Sequence, residues 1–162
     1  MRPHKFVTRA AHEHGALICL QLLHAGRYAY HPLSVAPSKL KAPINPMVPH
    51  ALAAEEVEQT IADFVHCAAL ARHAGYDGVE IMGSEGYLIN EFLVAHTNQR
   101  TDHWGGSPEA RRRFAVEVVR RVREVTGPDF LVMYRLSALD LVPDAQEFEQ
   151  VLALGRAVET AG

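Results

Sequence analysis

The stretch Ala74-Gly75-Tyr76-Asp77-Gly78-Val79-Glu80-Ile81-Met82 holds the junction on which the fold turns. Upstream of it, Val57, Ile61, Phe64, Val65, Ala68 and Ala69 recur at helical spacing, so a helix runs from about Ala54 to His73. Downstream, the apolar run Gly78 to Met82 reads as a short strand. Gly75 falls where a helix ends in the left-handed conformation, so helix passes to strand through a tight turn. The same unit recurs on both sides. A helix from about Lys5 to His14 is followed by Gly15 and a strand from Ala16 to Leu22. A helix from about Pro108 to Val125, with Phe114, Val118, Val119 and Val122 on one stripe, is followed by Gly127 and a strand from Phe130 to Leu136. A last helix, from about Gln146 to Thr160, carries Phe148, Val151, Leu152 and Val158. Alternation of this kind implies a parallel sheet built from βαβ units.

The connections are asymmetric. Those from strand to helix, Leu23 to Ala53 and Gly83 to Ser107, are far longer than the usual few residues, and such loops in a compact domain are usually functional. They leave the carboxyl ends of parallel strands, where α/β proteins assemble their sites. The pattern also reads as incomplete: it opens on a helix with no strand before it, and Ala161-Gly162 stands where a further strand is expected. Three strands cannot close a barrel, so a segment of a larger domain is expected, the alternative being a compact three-layer α/β domain of this length.

Composition narrows the class. The 162 residues carry a formal net charge of -3, with 48% hydrophobic and 22% charged residues, which suits a globular domain and not a disordered chain. No apolar run approaches the roughly 18 residues of a membrane span, and Met1 to Val7 lacks the apolar segment of a secretory signal. With Lys+Arg 16 against Asp+Glu 19 there is no basic field for nucleic acid. Arg111-Arg112-Arg113, with Arg120, Arg121 and Arg123, alternates with Glu109, Glu117 and Glu124 and reads as a solvated helix face. Cys19 and Cys67 stand singly in apolar runs and read as buried, reduced thiols of a cytoplasmic protein.

Four residues at strand ends carry chemical interest. Tyr87 follows a glycine a few residues past a strand; its phenol, protonated near neutral pH, suits a proton donor, while spacing alone equally suits a packing residue. Glu85 reads as a loop carboxylate or helix cap. Gln21 alternates with Leu20 and Leu22, and its amide offers both donor and acceptor to a lactam-like edge. Arg135, in an apolar strand end, needs a partner: a bound anion or electron-rich cofactor edge, or a buried ion pair with a carboxylate such as Glu80. Other signals are weak. His12-Glu13-His14 lacks the spacing of a metal site, and Gly83-Ser84-Glu85-Gly86 lacks that of a phosphate loop. Ser107-Pro108 reads as an N-cap and first helical position.

Taken together, several strings resemble the flavin-dependent Old Yellow Enzyme family, with the closest likeness to its bacterial NADPH-dependent 2,4-dienoyl-CoA reductase branch. They are Leu20-Gln21-Leu22-Leu23-His24-Ala25-Gly26-Arg27-Tyr28, Val35-Ala36-Pro37-Ser38, Gly86-Tyr87-Leu88-Ile89-Asn90-Glu91-Phe92-Leu93, Thr97-Asn98-Gln99-Arg100-Thr101-Asp102, Trp104-Gly105-Gly106 and Tyr134-Arg135-Leu136-Ser137. The resemblance implies an α/β fold, an incomplete TIM (β/α)8 barrel covering about the third to fifth strands. Residues 1–162 would then be a partial FMN-binding barrel domain that needs the remaining strands. It further implies that Gln21 and Arg135 bind FMN, that Tyr87 is the catalytic proton donor, and that Glu85, His24 and Arg27 belong to the substrate loops. Met82 and Glu85 stand where enone-reducing members carry a carbonyl-polarising histidine and asparagine or two histidines, and the Met82 to Tyr87 string resembles the dienoyl-CoA reductases instead.

The implied activity is reduction of conjugated carbon-carbon double bonds of 2,4-dienoyl-CoA, a small-molecule substrate of unsaturated fatty acid breakdown. The intact protein would also hold FAD, a four-iron four-sulfur (4Fe-4S) cluster and NADPH, with no metal ligands in this chain. The isolated segment is expected to be inactive. The alternatives are another enone or amine flavoenzyme of the family, and a non-catalytic remnant that binds a partner.

Overall fold

The structure, a computed structural model, describes residues 2–162. Strands β1 (Cys19–Leu22), β4 (Gly78–Gly83) and β5 (Leu131–Leu136) form an all-parallel sheet in the order β1-β4-β5. Gln21 lies opposite Glu80, and Met82 opposite Arg135. Because side chains alternate along a strand, Leu22, Val79 and Ile81 point to the helices, while Gln21, Glu80 and Arg135 share the other face.

Helices α2 (Ala54–His73) and α4 (Pro108–Thr126) cover the first face and pack on each other, with α5 (Phe148–Ala161) beyond α4. Of the stripes read from sequence, Val57, Ile61, Phe64 and Ala68 on α2 and Phe114, Val118, Val119 and Val122 on α4 are buried, while Val65 and Ala69 are only partly so. An aromatic knot anchors them, with Phe92 stacked on Phe114 at 4.2 Å and Phe64 and Trp104 each edge-on to Phe114 at 6.4 Å. Ser107 caps α4 by accepting the Ala110 N–H at 3.2 Å, with Pro108 at the first turn. Glu56 accepts the Ala53 N–H at 2.7 Å at the start of α2.

Several expectations need correction. The first helix, α1, spans Arg2–Glu13. Gly127 has φ of 78° but ψ of 175°, so it is an extended turn and not the left-handed cap that Gly15 and Gly75 were expected to share with it; both of those keep positive φ. On α5 Phe148 is exposed and Leu152 partly so, while Val151, as expected, and Leu154 are the buried residues. Cys67 is exposed, in an open groove between α2 and β1, and Cys19 is only half-buried. Arg111 is buried, donating through Nε to the Leu93 carbonyl at 2.9 Å and through Nη1 to that of Gly106 at 2.6 Å, so the basic cluster is not wholly a solvated face.

The long loops are folded. The first contains a 3-10 turn at Gly26–Tyr28 and a two-stranded parallel pair, β2 (Val35–Ala36) with β3 (His50–Ala51). The second contains α3 (Leu88–Leu93), all six of whose residues are buried. Arg100 ties the loops together, donating to the carbonyls of Pro37 and Leu52 and pairing with Asp102. No helix among the described residues is long and apolar enough to cross a membrane.

Candidate functional site

The open face of the sheet carries a polar cluster drawn from all three strands. Glu80, at the centre, accepts from the Gln21 amide at 2.8 Å through one carboxylate oxygen and from Arg135 Nε at 2.8 Å through the other. These bonds hold the Glu80 carboxyl below its ordinary range, so it is ionised at neutral pH. Of the two partners open to Arg135 from its sequence, the carboxylate is the one in place, but the pair is not buried: Arg135 is half exposed. The cluster therefore displays an amide and a guanidinium, held by one carboxylate, on an accessible surface.

The chain leaves β4 through a sharp turn. Gly83 must be glycine, because a Cβ there would lie 2.1 Å from the Tyr134 ring. Glu85 then takes φ of 64°, uncommon for a residue with a side chain, followed by Gly86 at 78°. The Glu85 N–H donates to Ser137 Oγ at 3.0 Å and its carboxylate lies 3.9 Å from Arg135 Nη1, so this turn is fastened to the end of β5 and leans on the polar cluster. Asn90 Oδ1 accepts the Gly86 N–H at 2.7 Å. The turn delivers Tyr87 to the N-terminal boundary of α3, half-buried, with its ring edge-on to Tyr28 at 6.4 Å.

Of His24, Arg27 and Glu85, which sequence groups as loop candidates, Arg27 and Glu85 line one pocket and His24 lies apart from them. His24 lies in a groove between the end of β1 and α2 together with Asp63 and Cys67; its Nδ1 accepts the Gly26 N–H at 3.1 Å, and burial lowers its pKa. Arg27 is buried, with Nη1 directed to the Lys41 carbonyl and its guanidinium 5.5 Å from the Tyr28 ring centre. Glu91 had no assigned role from sequence, where it is one letter of an apolar run. It is buried to 1% exposure, its Oε1 accepts the Arg27 N–H at 2.9 Å, and its Oε2 has no partner. Burial pushes its pKa up to about 8. A pocket of about 230 Å³ lies between these loops, lined by Arg27, Tyr28, Gly86, Asn90, Glu91 and Asp140 among others. A separate apolar hollow, lined by His4, Leu20, Leu70 and Tyr76, sits between α1 and α2, away from the polar cluster.

A parallel α/β sheet with loops and polar side chains gathered at its carboxyl ends is the arrangement in which barrel and open-sheet α/β proteins assemble their sites. The sequence pattern of the NADH:flavin oxidoreductase / NADH oxidase family matches residues 1–161, and the chain belongs to that family. A metal reductase of Desulforamulus reducens is 39% identical over 94% of this chain and 24% of its own length. An NADPH dehydrogenase of Geobacillus is 40% identical over 93% and 44%. Among solved structures, a 2-naphthoyl-CoA reductase in complex with 2-naphthoyl-CoA superimposes with a TM-score of 0.91 at 31% identity, covering 98% of this chain and 26% of that one. Morphinone reductase superimposes with a TM-score of 0.88 at 33% identity, covering 98% and 49%. These neighbours are Old Yellow Enzyme-type TIM barrels, and the chain corresponds to part of such a barrel. It spans between about a quarter and about half the length of these relatives.

Proposed function

We propose that the protein containing this chain is an FMN-dependent, NADPH-driven reductase of conjugated carbon-carbon double bonds in acyl-CoA thioesters of the 2,4-dienoyl type. On this reading residues 1–162 supply the third to fifth strands of its barrel and work in the cytoplasm together with the remaining strands. The observation that carries the proposal is the placement of Tyr87 by the Ser84-Glu85-Gly86 turn, whose Glu85 leans on the Gln21, Glu80 and Arg135 cluster. Similarity to a reductase bound to an aromatic CoA thioester supports a CoA ester as substrate.

The residues present fit FMN by the chemistry of the donor set. Gln21 offers an amide donor and acceptor to the N–C=O edge of the isoalloxazine, and Arg135 offers a fixed cation where negative charge collects on reduction. When bound, FMN supplies the hydride. Glu80 holds the Gln21 amide and the Arg135 guanidinium in register across three strands. Tyr87 donates its phenolic proton to the carbon that becomes electron-rich at the other end of the conjugated system, and the phenolate is reprotonated from water. FAD and the four-iron four-sulfur cluster belong, on this reading, to other parts of the protein.

Tyr87→Phe in the flavin-loaded protein tests the reading. Flavin reoxidation by a 2,4-dienoyl-CoA is expected to slow roughly 10²- to 10⁴-fold, with flavin reduction by NADPH unchanged. Wild-type reoxidation in the variant would remove Tyr87 from the mechanism. A second reading, reduction of a different conjugated carbonyl, is favoured by the likeness to morphinone reductase. A cyclic enone that outpaces dienoyl-CoA as oxidant would select it.

A further inference from the structure

Three contacts tie the loop after β1 to the loop after β4, and the Glu91 carboxyl is at their centre. Its Oε1 accepts the Arg27 N–H at 2.9 Å, while its own N–H donates to the Tyr87 carbonyl at 2.9 Å in the first turn of α3. The Leu88 N–H, next to Tyr87, donates to the His24 carbonyl at 3.0 Å. Tyr28 closes the third contact, packing its ring edge-on against Tyr87. Gly26 is packed so closely that a Cβ would fall 2.2 Å from Glu91 Oε1, which shows how tightly the carboxyl is enclosed. Yet Glu91 Oε2 is buried without a partner, a placement costlier for a carboxylate than for a neutral acid.

We propose that Glu91 is a positioning residue that acts as a neutral carboxylic acid, clamping the His24–Tyr28 loop onto α3 and so fixing Tyr87 over the strand ends. The inference rests on the reading of Tyr87 as the proton donor. Four charged groups surround the clamp. Arg27 comes from the β1 loop, Glu85 from the β4 turn and Asp140 from beyond β5, all lining the same pocket; Arg111 of α4 is already engaged by the Leu93 and Gly106 carbonyls. Only Arg27 favours ionisation of Glu91, and burial outweighs it. Ionisation of Glu91 places an unsolvated charge inside the clamp, so the two loops part as pH rises past the pKa of about 8.

The test compares Glu91→Ala and Glu91→Gln in the full flavin-loaded enzyme. Glu91→Ala is expected to speed hydrogen exchange at the Arg27 and Leu88 amides about tenfold or more. It should also slow flavin reoxidation by dienoyl-CoA roughly 10- to 100-fold, the scale of a small misplacement of a reacting group. KM for NADPH and the rate of flavin reduction should stay at wild-type values. Glu91→Gln, neutral at every pH, should restore both exchange and reoxidation and should abolish the wild-type fall in reoxidation rate above about pH 8. Wild-type exchange and reoxidation in Glu91→Ala, or a Glu91→Gln variant as impaired as Glu91→Ala, would overturn the clamp. If Glu91→Ala does not fold, the pH profile of Glu91→Gln decides alone: an unchanged alkaline limb refutes the role. Tyr87→Phe separates this from the reading beneath it. Wild-type reoxidation in Tyr87→Phe would remove the acid itself, whereas the exchange measurement tests the clamp in either case.

Discussion

Gly26, with φ of 58° and Glu91 Oε1 at 2.2 Å from any added Cβ, shows what one residue contributes here. Gly26→Ala should destabilise the fold by about 1–3 kcal/mol through strain and overpacking, read as a lower denaturant midpoint with unchanged slope. Glu91 adds a pH dependence of defined sign. Its folded pKa, near 8, lies above the ordinary 4.5, so the native state holds the proton through that interval and the unfolded chain does not. Stability is therefore greatest below about pH 4.5 as far as this group is concerned, falls as pH rises to about 8, and is level above it. Thermal melts of wild type and Glu91→Gln across that range should converge in acid and separate progressively toward pH 8, the variant remaining the more stable. The residue types of Gln21, Arg135 and Tyr87 were legible in the sequence, as was Glu80 as a partner for Arg135. Glu91 was hidden because a carboxyl flanked by Leu88, Ile89, Phe92 and Leu93 carries no local mark of where its oxygens end.

Among the elements, α4 is the clearest case of local control. Ser107, Pro108 and the stripe of Phe114, Val118, Val119 and Val122 specify where it starts and which face it buries. Ser107→Ala should cost about 1 kcal/mol as the Ala110 N–H loses its acceptor. Phe114→Ala should cost about 3–5 kcal/mol, since its ring is the common contact of Phe92, Phe64 and Trp104. Both follow from equilibrium unfolding. By contrast α3 was not legible: a six-residue helix buried on every side has no polar face and hence no period to read. The buried Arg111 escaped for a related reason, because the carbonyls it satisfies belong to Leu93 and Gly106, outside its own helix.

At the scale of the whole molecule, β1 and β5 each pair on one side only, and Leu131, Met133 and Leu136 of β5 are substantially exposed. The 162-residue chain prepared by itself should therefore self-associate as its concentration rises, through unpaired edges and apolar surface. Sedimentation velocity gives the check, and a monomer that persists across a hundredfold range of concentration would contradict it. By itself the sequence determined the parallel α/β alternation, the burial stripes of α2 and α4, and the family, because these depend on local periodicity and on unbroken strings of residues. Tertiary structure alone decided the register that sets Gln21 and Arg135 on one Glu80, the docking of the β1 loop on α3, and the dry enclosure of Glu91. Each joins residues more than fifty positions apart, and such contacts arise only when strands pair and loops close over them.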